Sequence, residues 1–367
     1  VLRDLIRPGN TVVVVEHDRD LLLASDWMID LGPGGGRNGG ELIYCGETGL
    51  RGEGPPSPTV DVLLDRARPA RAPLAEPRGW LRVREARLHN LKGVDADLPW
   101  GVLVGVCGVS GSGKSSLVTD SLVPLLEARM RSRVPLRGET AVEGLGRLVV
   151  EAPIAGLGLV DQNPLPRSTR SVPASYMGAW DGIRKLFAAL PEARRRGLKP
   201  GAFSFNLAGG RCEACRGEGE VTLDMDFLPD LRLPCETCGG SRFGPAVAGV
   251  RLRGLDIADI LALSVDRAVA LFAGTPSVVR PLWWLGRVGL GYLALGQPAS
   301  TLSGGEAQRL KLARELSAGA GGRLLVLDEP TVGLHGVEVT LLAGALRDLA
   351  KAGTGVLVVQ HHVDSLA

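Results

Sequence analysis

A glycine-rich segment of eight residues restricts the fold more than any other feature of the sequence. Residues 108–115 have the sequence GVSGSGKS and follow the apolar run 102–106. The residues from Lys114 to about Leu126 are predicted to form a helix. A strand, a glycine loop and a helix in this order direct backbone N–H groups and a helix N-terminus at a bound phosphate. The segment therefore predicts an α/β fold with a nucleotide-binding loop.

The residues of this loop are the candidate phosphate and magnesium contacts. Lys114 is expected to reach the outer phosphates, and the Ser115 hydroxyl is expected to bind Mg²⁺. The other predicted nucleotide contacts in the loop are Gly108, Ser110, Gly111, Gly113 and Ser116.

A second apolar run ends in two acids. Residues 323–329 have the sequence RLLVLDE and predict a buried strand. Asp328 is predicted to hold Mg²⁺ through a water molecule, and Glu329 to polarise the water that attacks the outer phosphate. Without other motifs, two acids after a strand would indicate only residues that cap the end of the strand. In a chain that also has a phosphate-binding loop, they predict ATP hydrolysis.

The segment LSGGE at 302–306 precedes a predicted helix over 308–316. Ser303, Gly304 and Gly305 are predicted to contact a nucleotide phosphate through the first amides of that helix. A simple helix N-cap at Ser303 remains an alternative interpretation.

Four cysteines form two CxxC pairs. Cys212 and Cys215 are separated from Cys235 and Cys238 by 19 residues, and the alternating apolar residues between the pairs predict a hairpin. Two such pairs predict tetrahedral Zn²⁺ coordination, with a redox pair or unbound thiols as the alternatives. Cys45 and Cys107 are expected to be packed as small apolar residues.

Composition restricts the class of protein further. The chain has 42 basic and 40 acidic residues, so any nucleic-acid surface has to be local. No apolar run is long enough to span a bilayer, and few cysteines outside the CxxC pairs favour a reducing, cytoplasmic location. Positive charge concentrates in one basic stretch, which suits contact with a phosphate backbone: Arg184, Lys185, Arg194, Arg195, Arg196, Lys199, Arg211 and Arg216. A solvated helix face is the alternative interpretation of a charge run such as 194–196.

Together, GVSGSGKSS, LSGGE, LLVLDEP and a strand ending in His361 resemble an ABC-type ATPase. A cysteine module between the glycine loop and LSGGE narrows the resemblance to the UvrA family. The matching segments include residues 161–188, 203–206, 209–220, 227–240, 288–313 and 327–335, and residues 14–36 resemble the end of that family's first nucleotide-binding domain.

The resemblance implies further residues, cofactors and partners. Gln162 corresponds to the glutamine that monitors Mg²⁺ and the γ-phosphate, and His361 to the switch histidine. Implied cofactors are ATP, Mg²⁺ and Zn²⁺. Implied partners are double-stranded DNA, a UvrB-like subunit and a second copy in a homodimer, without a membrane. The implied activity is ATP-dependent recognition of damaged DNA in nucleotide excision repair, with no nuclease activity of its own.

The sequence also suggests a domain organisation. GNTVVVVEH at 9–17 and GTGVLVVQH at 353–361 form a weak repeat of two predicted strands. We expect a fragment of a longer protein with five parts: the tail of a first nucleotide-binding domain at 1–50, a linker at 51–80, the first part of a second domain at 81–200, a zinc-binding insert at 201–244, and the rest of the second domain at 245–367. Where the family builds sites between two domains, such a chain is expected to bind ATP but hydrolyse it slowly.

Two departures from the family pattern keep an alternative open. Ala202 stands where the family usually has Arg before FSFN, and VVQHH, with Gln360 and His362, stands where it has VIEHN. A diverged UvrA paralogue, or another soluble ABC ATPase in drug resistance, is the alternative function. A zinc-mediated interaction module, suggested by a faint similarity of CRGEGE and CETCGG to DnaJ-type repeats, is a third.

Overall fold

The chain forms two compact units in the computed structural model. The first consists of Val1–Arg71 and Gly333–Thr340, and the second of Ala72–Val332 and Leu341–Ala367. The structure describes residues 11–15, 19–32, 40–48, 58–64, 76–132, 137–161, 171–223, 231–319, 321–332, 334 and 336–360. The five-part domain division stays a prediction.

The first unit has a small core. Its elements are α1 (Arg19–Ala24), β1 (Trp27–Gly32), β2 (Glu41–Glu47) and α2 (Pro58–Leu63), and β1 and β2 pair antiparallel. Met28, Val60 and Leu63 are buried together. The strand expected at 9–17 is wrong for its described part, 11–15. Those residues are in no strand, and Val15 is 97% exposed because no described strand pairs with them.

Strands of the second unit form two four-stranded sheets and a hairpin. They are β3 (Trp80–Ala86), β4 (Val94–Pro99), β5 (Leu103–Cys107), β6 (Gly138–Val142), β7 (Gly146–Val150), β8 (Gly156–Val160), β9 (Glu220–Leu223), β10 (Leu231–Pro234), β11 (Arg323–Asp328) and β12 (Gly355–Gln360). One sheet is parallel in the order β5-β12-β11-β8, and the other is antiparallel in the order β4-β3-β7-β6. This mixed α/β architecture confirms the predicted fold class.

The strand register determines which residues lie at the carboxyl edge of the parallel sheet. Cys107 at the end of β5 lies opposite Gln360, and Asp328 at the end of β11 lies opposite Val359. Since β12 runs between β5 and β11, the glycine loop and the two acids leave the same edge, separated by one strand.

The helix after the glycine loop packs on the core formed by both sheets. It starts as α3 (Lys114–Leu117), passes through one π-helical turn (Val118–Leu122) and continues as α4 (Val123–Arg131). Leu122 and Leu126 are fully buried in this core. The predicted helix is thus confirmed, although it extends five residues beyond residue 126.

The second unit contains further helices: α5 (Pro173–Tyr176), α6 (Ala179–Ala189), α7 (Pro191–Arg195), α8 (Ile257–Ala262), α9 (Val265–Leu271), α10 (Pro276–Arg287) and α11 (Gly304–Ser317). Helix α12 spans Gly336–Lys351, of which Leu341–Lys351 belongs to the second unit. Short 3₁₀ turns lie at Pro200–Phe203, Pro245–Val247 and Ala299–Thr301. Across the described part of the chain, no helix is long and apolar enough to span a bilayer.

Apolar periodicity predicts one helix from Ile257 to Phe272, and this prediction is wrong because the chain leaves the helical conformation between α8 and α9. Leu263 is extended, with ψ 145°, and Ser264 caps α9 by accepting a hydrogen bond from the Arg267 N–H. The backbone there bonds to Leu293 and Leu295 instead of continuing the helix. Apolar periodicity across the break gives no sign of this tertiary pairing.

Truncating Leu126 tests the core beneath the glycine loop. Leu126→Ala removes a side chain with 0% exposure and should lower the free energy of unfolding by about 2–5 kcal/mol. Met130→Ala, one turn later in the same helix at 37% exposure, is the matched control and should cost far less. Urea denaturation followed by circular dichroism measures both, and equal decreases would contradict the assigned packing.

Candidate nucleotide and metal sites

Backbone conformation shapes the glycine loop. Gly111 and Gly113 have φ values of +75° and +98°, a region that favours glycine. A Cβ on Gly113 would lie 2.9 Å from the Asn90 Oδ1. The Asn90 side chain donates a hydrogen bond of 2.8 Å to the Gly111 carbonyl and thereby braces the loop from the β3–β4 connection.

Lys114 lies where the loop becomes a helix. It is 8% exposed, and its Nζ donates to the carbonyl oxygens of Gly108 at 2.8 Å and Val109 at 2.9 Å. Ser115, the next residue, is exposed, as are Ser110 and Gly111. The loop therefore keeps an ammonium group and hydroxyl groups together at the end of β5.

The two acids are held by the backbone around them. The Glu329 N–H donates to the Val359 carbonyl at 2.9 Å, and Glu329 has a φ of +49°, which is unusual for a residue with a side chain. Gln308 Nε2 donates to the carbonyls of Asp328 at 2.6 Å and Glu329 at 3.2 Å. Asp328 and Glu329 are both partly exposed, so their carboxylates are accessible from the carboxyl edge of the sheet.

LSGGE begins helix α11 with a capping box. The Ser303 hydroxyl accepts from the Glu306 N–H at 3.2 Å, and the Ser303 N–H donates to the Glu306 carboxylate at 2.8 Å. Tyr292 also donates to that carboxylate, at 2.5 Å. The N-cap interpretation is therefore correct for Ser303. Ser303 and Gly304 are exposed, and a nucleotide contact by Ser303, Gly304 and Gly305 stays a prediction.

Two predicted catalytic residues, Gln162 and His361, lie outside the described residues. Their neighbours are described. Asp161 accepts a hydrogen bond of 2.6 Å from Lys311, and the buried Gln360 donates from Nε2 to the Thr331 hydroxyl. Sequence reasoning missed Asn90, Gln308 and Lys311. The spacing of Gln308 and Lys311 on one face of the helix after LSGGE was the available signal.

The four cysteine sulfurs converge on one point. All lie within 4.8 Å of one another, with 4.0 Å from Cys212 to Cys235 and 3.7 Å from Cys215 to Cys238. A tetrahedral zinc ion with Zn–S bonds of about 2.3 Å places sulfurs about 3.8 Å apart. The donor set and its spacing therefore fit Zn²⁺, which supports the predicted four-cysteine insert.

Backbone groups surround these sulfurs. The Gly219 N–H donates to the Cys215 sulfur at 3.3 Å. Burial raises the pKa of the Cys215 thiol, while a backbone hydrogen bond from Cys238 lowers the pKa of Cys235. Gly217 has a φ of +86°, and a Cβ there would lie 1.7 Å from the Phe205 carbonyl. Glycine is required for the chain to turn back at this point.

An aromatic cluster attaches the cysteine module to α6. The ring of Trp180 lies 5.6 Å from Phe205 and 6.3 Å from Phe243, and Arg242 stacks over Phe205. The predicted hairpin is confirmed as β9 paired antiparallel with β10. Its apolar residues lie on one exposed face: Val221, Leu223, Leu231 and Leu233.

Cys45 and Cys107 are exposed, so the expectation that they pack as small apolar residues is wrong. Cys45 lies opposite Ile29, whose side chain is 64% exposed, on the outer face of a two-stranded sheet. Cys107 ends β5 at the open edge of the parallel sheet. Both thiols therefore lie on strand faces that are open to solvent.

Several cations of the basic stretch at 184–216 form ion pairs with acids close to them in sequence. Arg184 pairs with Asp181, Arg195 with Glu192, and Arg211 with Glu213. Arg196 donates to the carbonyls of Ala246 and Ala248. The remaining cations of the stretch are exposed: Lys185, Arg194, Lys199 and Arg216. Surface pairs contribute about 0–1 kcal/mol, so phosphate can displace them.

Comparison with known proteins identifies the relatives of this arrangement. No protein-family model matches the chain. UvrABC system protein A of Thermus thermophilus is 47% identical over 370 residues, which cover 99% of this chain and 38% of the relative. The protein of the same name from Mycobacterium bovis is 45% identical over 99% of this chain and 37% of the relative. The crystal structure of UvrA2 from Deinococcus radiodurans superimposes with a TM-score of 0.89 at 45% identity, covering 100% of this chain and 44% of that chain.

The fold and the arrangement of motifs define an ABC-type nucleotide-binding domain with a four-cysteine insert. The chain belongs to the UvrA family. It spans less than half the length of the relatives it matches.

Removing one sulfur tests the metal site. Cys215→Ser should lower bound zinc from about one ion per chain to well below one, because three thiolates hold the ion far less tightly. Atomic emission on the purified protein measures the metal. Cys45→Ser, which removes an exposed thiol elsewhere, is the control and should retain the metal. Equal zinc content in both variants would contradict the assignment.

Proposed function

We propose that this chain is the ATP-binding part of a UvrA-type sensor, which recognises damaged double-stranded DNA in nucleotide excision repair and loads a UvrB-like subunit. Identity of 47% to a UvrABC system protein A over 99% of the chain is the observation that carries this proposal. The sensor hydrolyses ATP, has no nuclease activity of its own, works as a homodimer and is cytoplasmic.

The residues at the carboxyl edge of the parallel sheet support ATP hydrolysis. Lys114 and the loop N–H groups bind the phosphates, and Ser115 and Asp328 are the residues that would hold Mg²⁺. Bound there, Mg²⁺ would supply neutralisation of the charge that develops on the phosphates. Glu329, which the Val359 and Gln308 contacts fix in place, orients the attacking water and accepts its proton. Gln162 and His361 complete the proposed site.

The cysteine module supports the DNA-binding half of the proposal. Zn²⁺ held by four thiolates would fix the two CxxC turns relative to each other, and the aromatic cluster around Trp180 attaches them to α6. The exposed cations of the basic stretch are next to this module in sequence or within it. These cations would therefore be the groups that contact the DNA phosphates.

A diverged UvrA paralogue acting in drug resistance is the second candidate. Gln360 favours it, because this buried side chain donates a hydrogen bond to Thr331 at a position where the family pattern has a carboxylate. At the residue that precedes His361 in the sequence, a neutral amide therefore replaces the charged group of the family pattern. Fluorescence anisotropy with adducted and unmodified duplexes separates the candidates, since the paralogue would show no preference for the adduct.

Two substitutions separate nucleotide binding from hydrolysis. Lys114→Ala should weaken ATP binding at least about tenfold, because it removes the ammonium group from the phosphates. Glu329→Gln should leave the ATP dissociation constant nearly unchanged but slow hydrolysis about 100-fold or more. Displacement of a fluorescent ATP analogue and single-turnover hydrolysis measure the two effects. Normal hydrolysis by Glu329→Gln would contradict the proposed role.

Salt dependence tests the basic surface. A triple variant removes three exposed cations, namely Arg194→Ala, Lys199→Ala and Arg216→Ala. Removing each cation that binds a DNA phosphate should reduce the slope of log K against log salt by about one. Duplex binding by the triple variant should therefore weaken, and its slope should fall by about three.

The matched control for charge is a triple variant at exposed cations elsewhere in the second unit: Arg131→Ala, Arg147→Ala and Lys351→Ala. Its slope should stay near that of the wild type. Equal slopes for the two triple variants would rule out the basic stretch as the DNA contact.

A further inference from the structure

Helix α11 carries two polar side chains that hold the ends of two neighbouring strands. Gln308 and Lys311 are three residues apart and therefore lie on one face of the helix. Both are turned inward, since Gln308 is 6% exposed and the Lys311 side chain 15%. Neither is part of the glycine loop, LSGGE or the strand acids.

Gln308 contacts the end of β11. Its amide donates to the carbonyls of both Asp328 and Glu329, at 2.6 and 3.2 Å. Glu329 has a left-handed backbone conformation, which a residue with a side chain keeps only where its surroundings enforce it. The Val359 carbonyl fixes its N–H, and Gln308 fixes its C=O. The direction of the Glu329 carboxylate therefore depends on Gln308.

Lys311 contacts the end of β8. Its ammonium group lies 2.6 Å from the Asp161 carboxylate and 3.3 Å from the Asp161 carbonyl. Asp161 follows β8 directly and precedes Gln162 in the chain. Because Val160 pairs with Leu327, β8 and β11 end side by side, and one helix face reaches both ends.

We propose that Gln308 and Lys311 are positioning residues for ATP hydrolysis, Gln308 through the backbone of Glu329 and Lys311 through Asp161 at the end of β8. This inference rests on the proposed function.

The test substitutes each residue in the full chain. Gln308→Met and Lys311→Met keep side-chain length but remove the donors. Each should slow single-turnover ATP hydrolysis about tenfold or more, because a displaced catalytic group loses rate steeply with distance. Each should leave the dissociation constant for ATP within about twofold, since neither residue touches phosphate. Lys311→Arg should restore most of the rate.

Glu315→Gln is the matched control. It removes an ion pair of 2.7 Å between the same helix and Arg323, which starts β11 at the opposite end of the sheet. The side chains of Glu315 and Arg323 are 25% and 27% exposed, which is comparable to the burial of the Lys311–Asp161 pair. Glu315→Gln and Lys311→Met should therefore change the free energy of unfolding by similar amounts. The hydrolysis rate of Glu315→Gln should stay within about twofold of the wild type, because the strand ends at the site keep their contacts.

Double substitutions distinguish positioning from general damage. In a Glu329→Gln background, Gln308→Met should slow hydrolysis by less than a further factor of about two, because the group it positions is already disabled. In an Asp161→Asn background, Lys311→Met should likewise add little. Fully multiplicative rate decreases in both backgrounds would overturn the inference.

The control measurements separate two kinds of failure. A wild-type chain that binds no ATP would overturn the proposed function and this inference with it. A wild-type chain that binds and hydrolyses ATP, with unchanged rates in Gln308→Met and Lys311→Met, would overturn this inference alone. A rate decrease in Glu315→Gln equal to that in Lys311→Met would also overturn it.

Discussion

The arrangement of the candidate nucleotide site depends on the parallel pairing of four strands. Parallel strands place all their carboxyl ends at one edge of the sheet. Residues that are distant in sequence therefore lie near one another at that edge, even where their side chains do not touch. Cys107 opposite Gln360 and Asp328 opposite Val359 fix the spacing, which is two inter-strand steps of about 4.8 Å between β5 and β11. A one-residue slip would turn the acids away from the glycine loop.

Side-chain hydrogen bonds then hold the segments of the site in the positions that the strand register gives them. Asn90 braces the glycine loop, the Ser303 capping box begins α11, and Gln308 and Lys311 connect that helix to two strand ends. The Asn90, Gln308 and Lys311 contacts each join a site segment to an element from another part of the chain, whereas the capping box is local. In the cysteine module, four sulfurs from two short turns converge on one point. Metal binding there would stabilise a small insert that has no large apolar core of its own among its described residues.

Motif spacing allowed much of this to be predicted. GVSGSGKS predicted strand, loop and helix correctly, because glycine is needed for the positive φ at Gly111 and Gly113. Two CxxC pairs predicted the convergence of four sulfurs, since each pair is a local turn. RLLVLDE predicted a buried strand ending at Asp328. In these cases the determining interactions lie within a few residues.

The predictions that were wrong or missed depend instead on interactions between residues far apart in the sequence. The break at Leu263 and Ser264 arises from backbone bonds to Leu293 and Leu295, about 30 residues away, and local periodicity does not contain them. Exposure of Cys45 and Cys107 depends on which neighbouring elements cover each strand. The roles of Gln308 and Lys311 depend on strand ends that come from distant parts of the chain.

A crystal structure of the chain with Mg²⁺ and a slowly hydrolysed ATP analogue tests the central claim most directly. We expect the outer phosphates within hydrogen-bond distance of Lys114, with Mg²⁺ about 2.1 Å from the Ser115 hydroxyl and on the side of Asp328. Glu329 should face the γ-phosphate. Nucleotide bound elsewhere, or phosphates in the loop with Glu329 turned away from them, would contradict the proposed site.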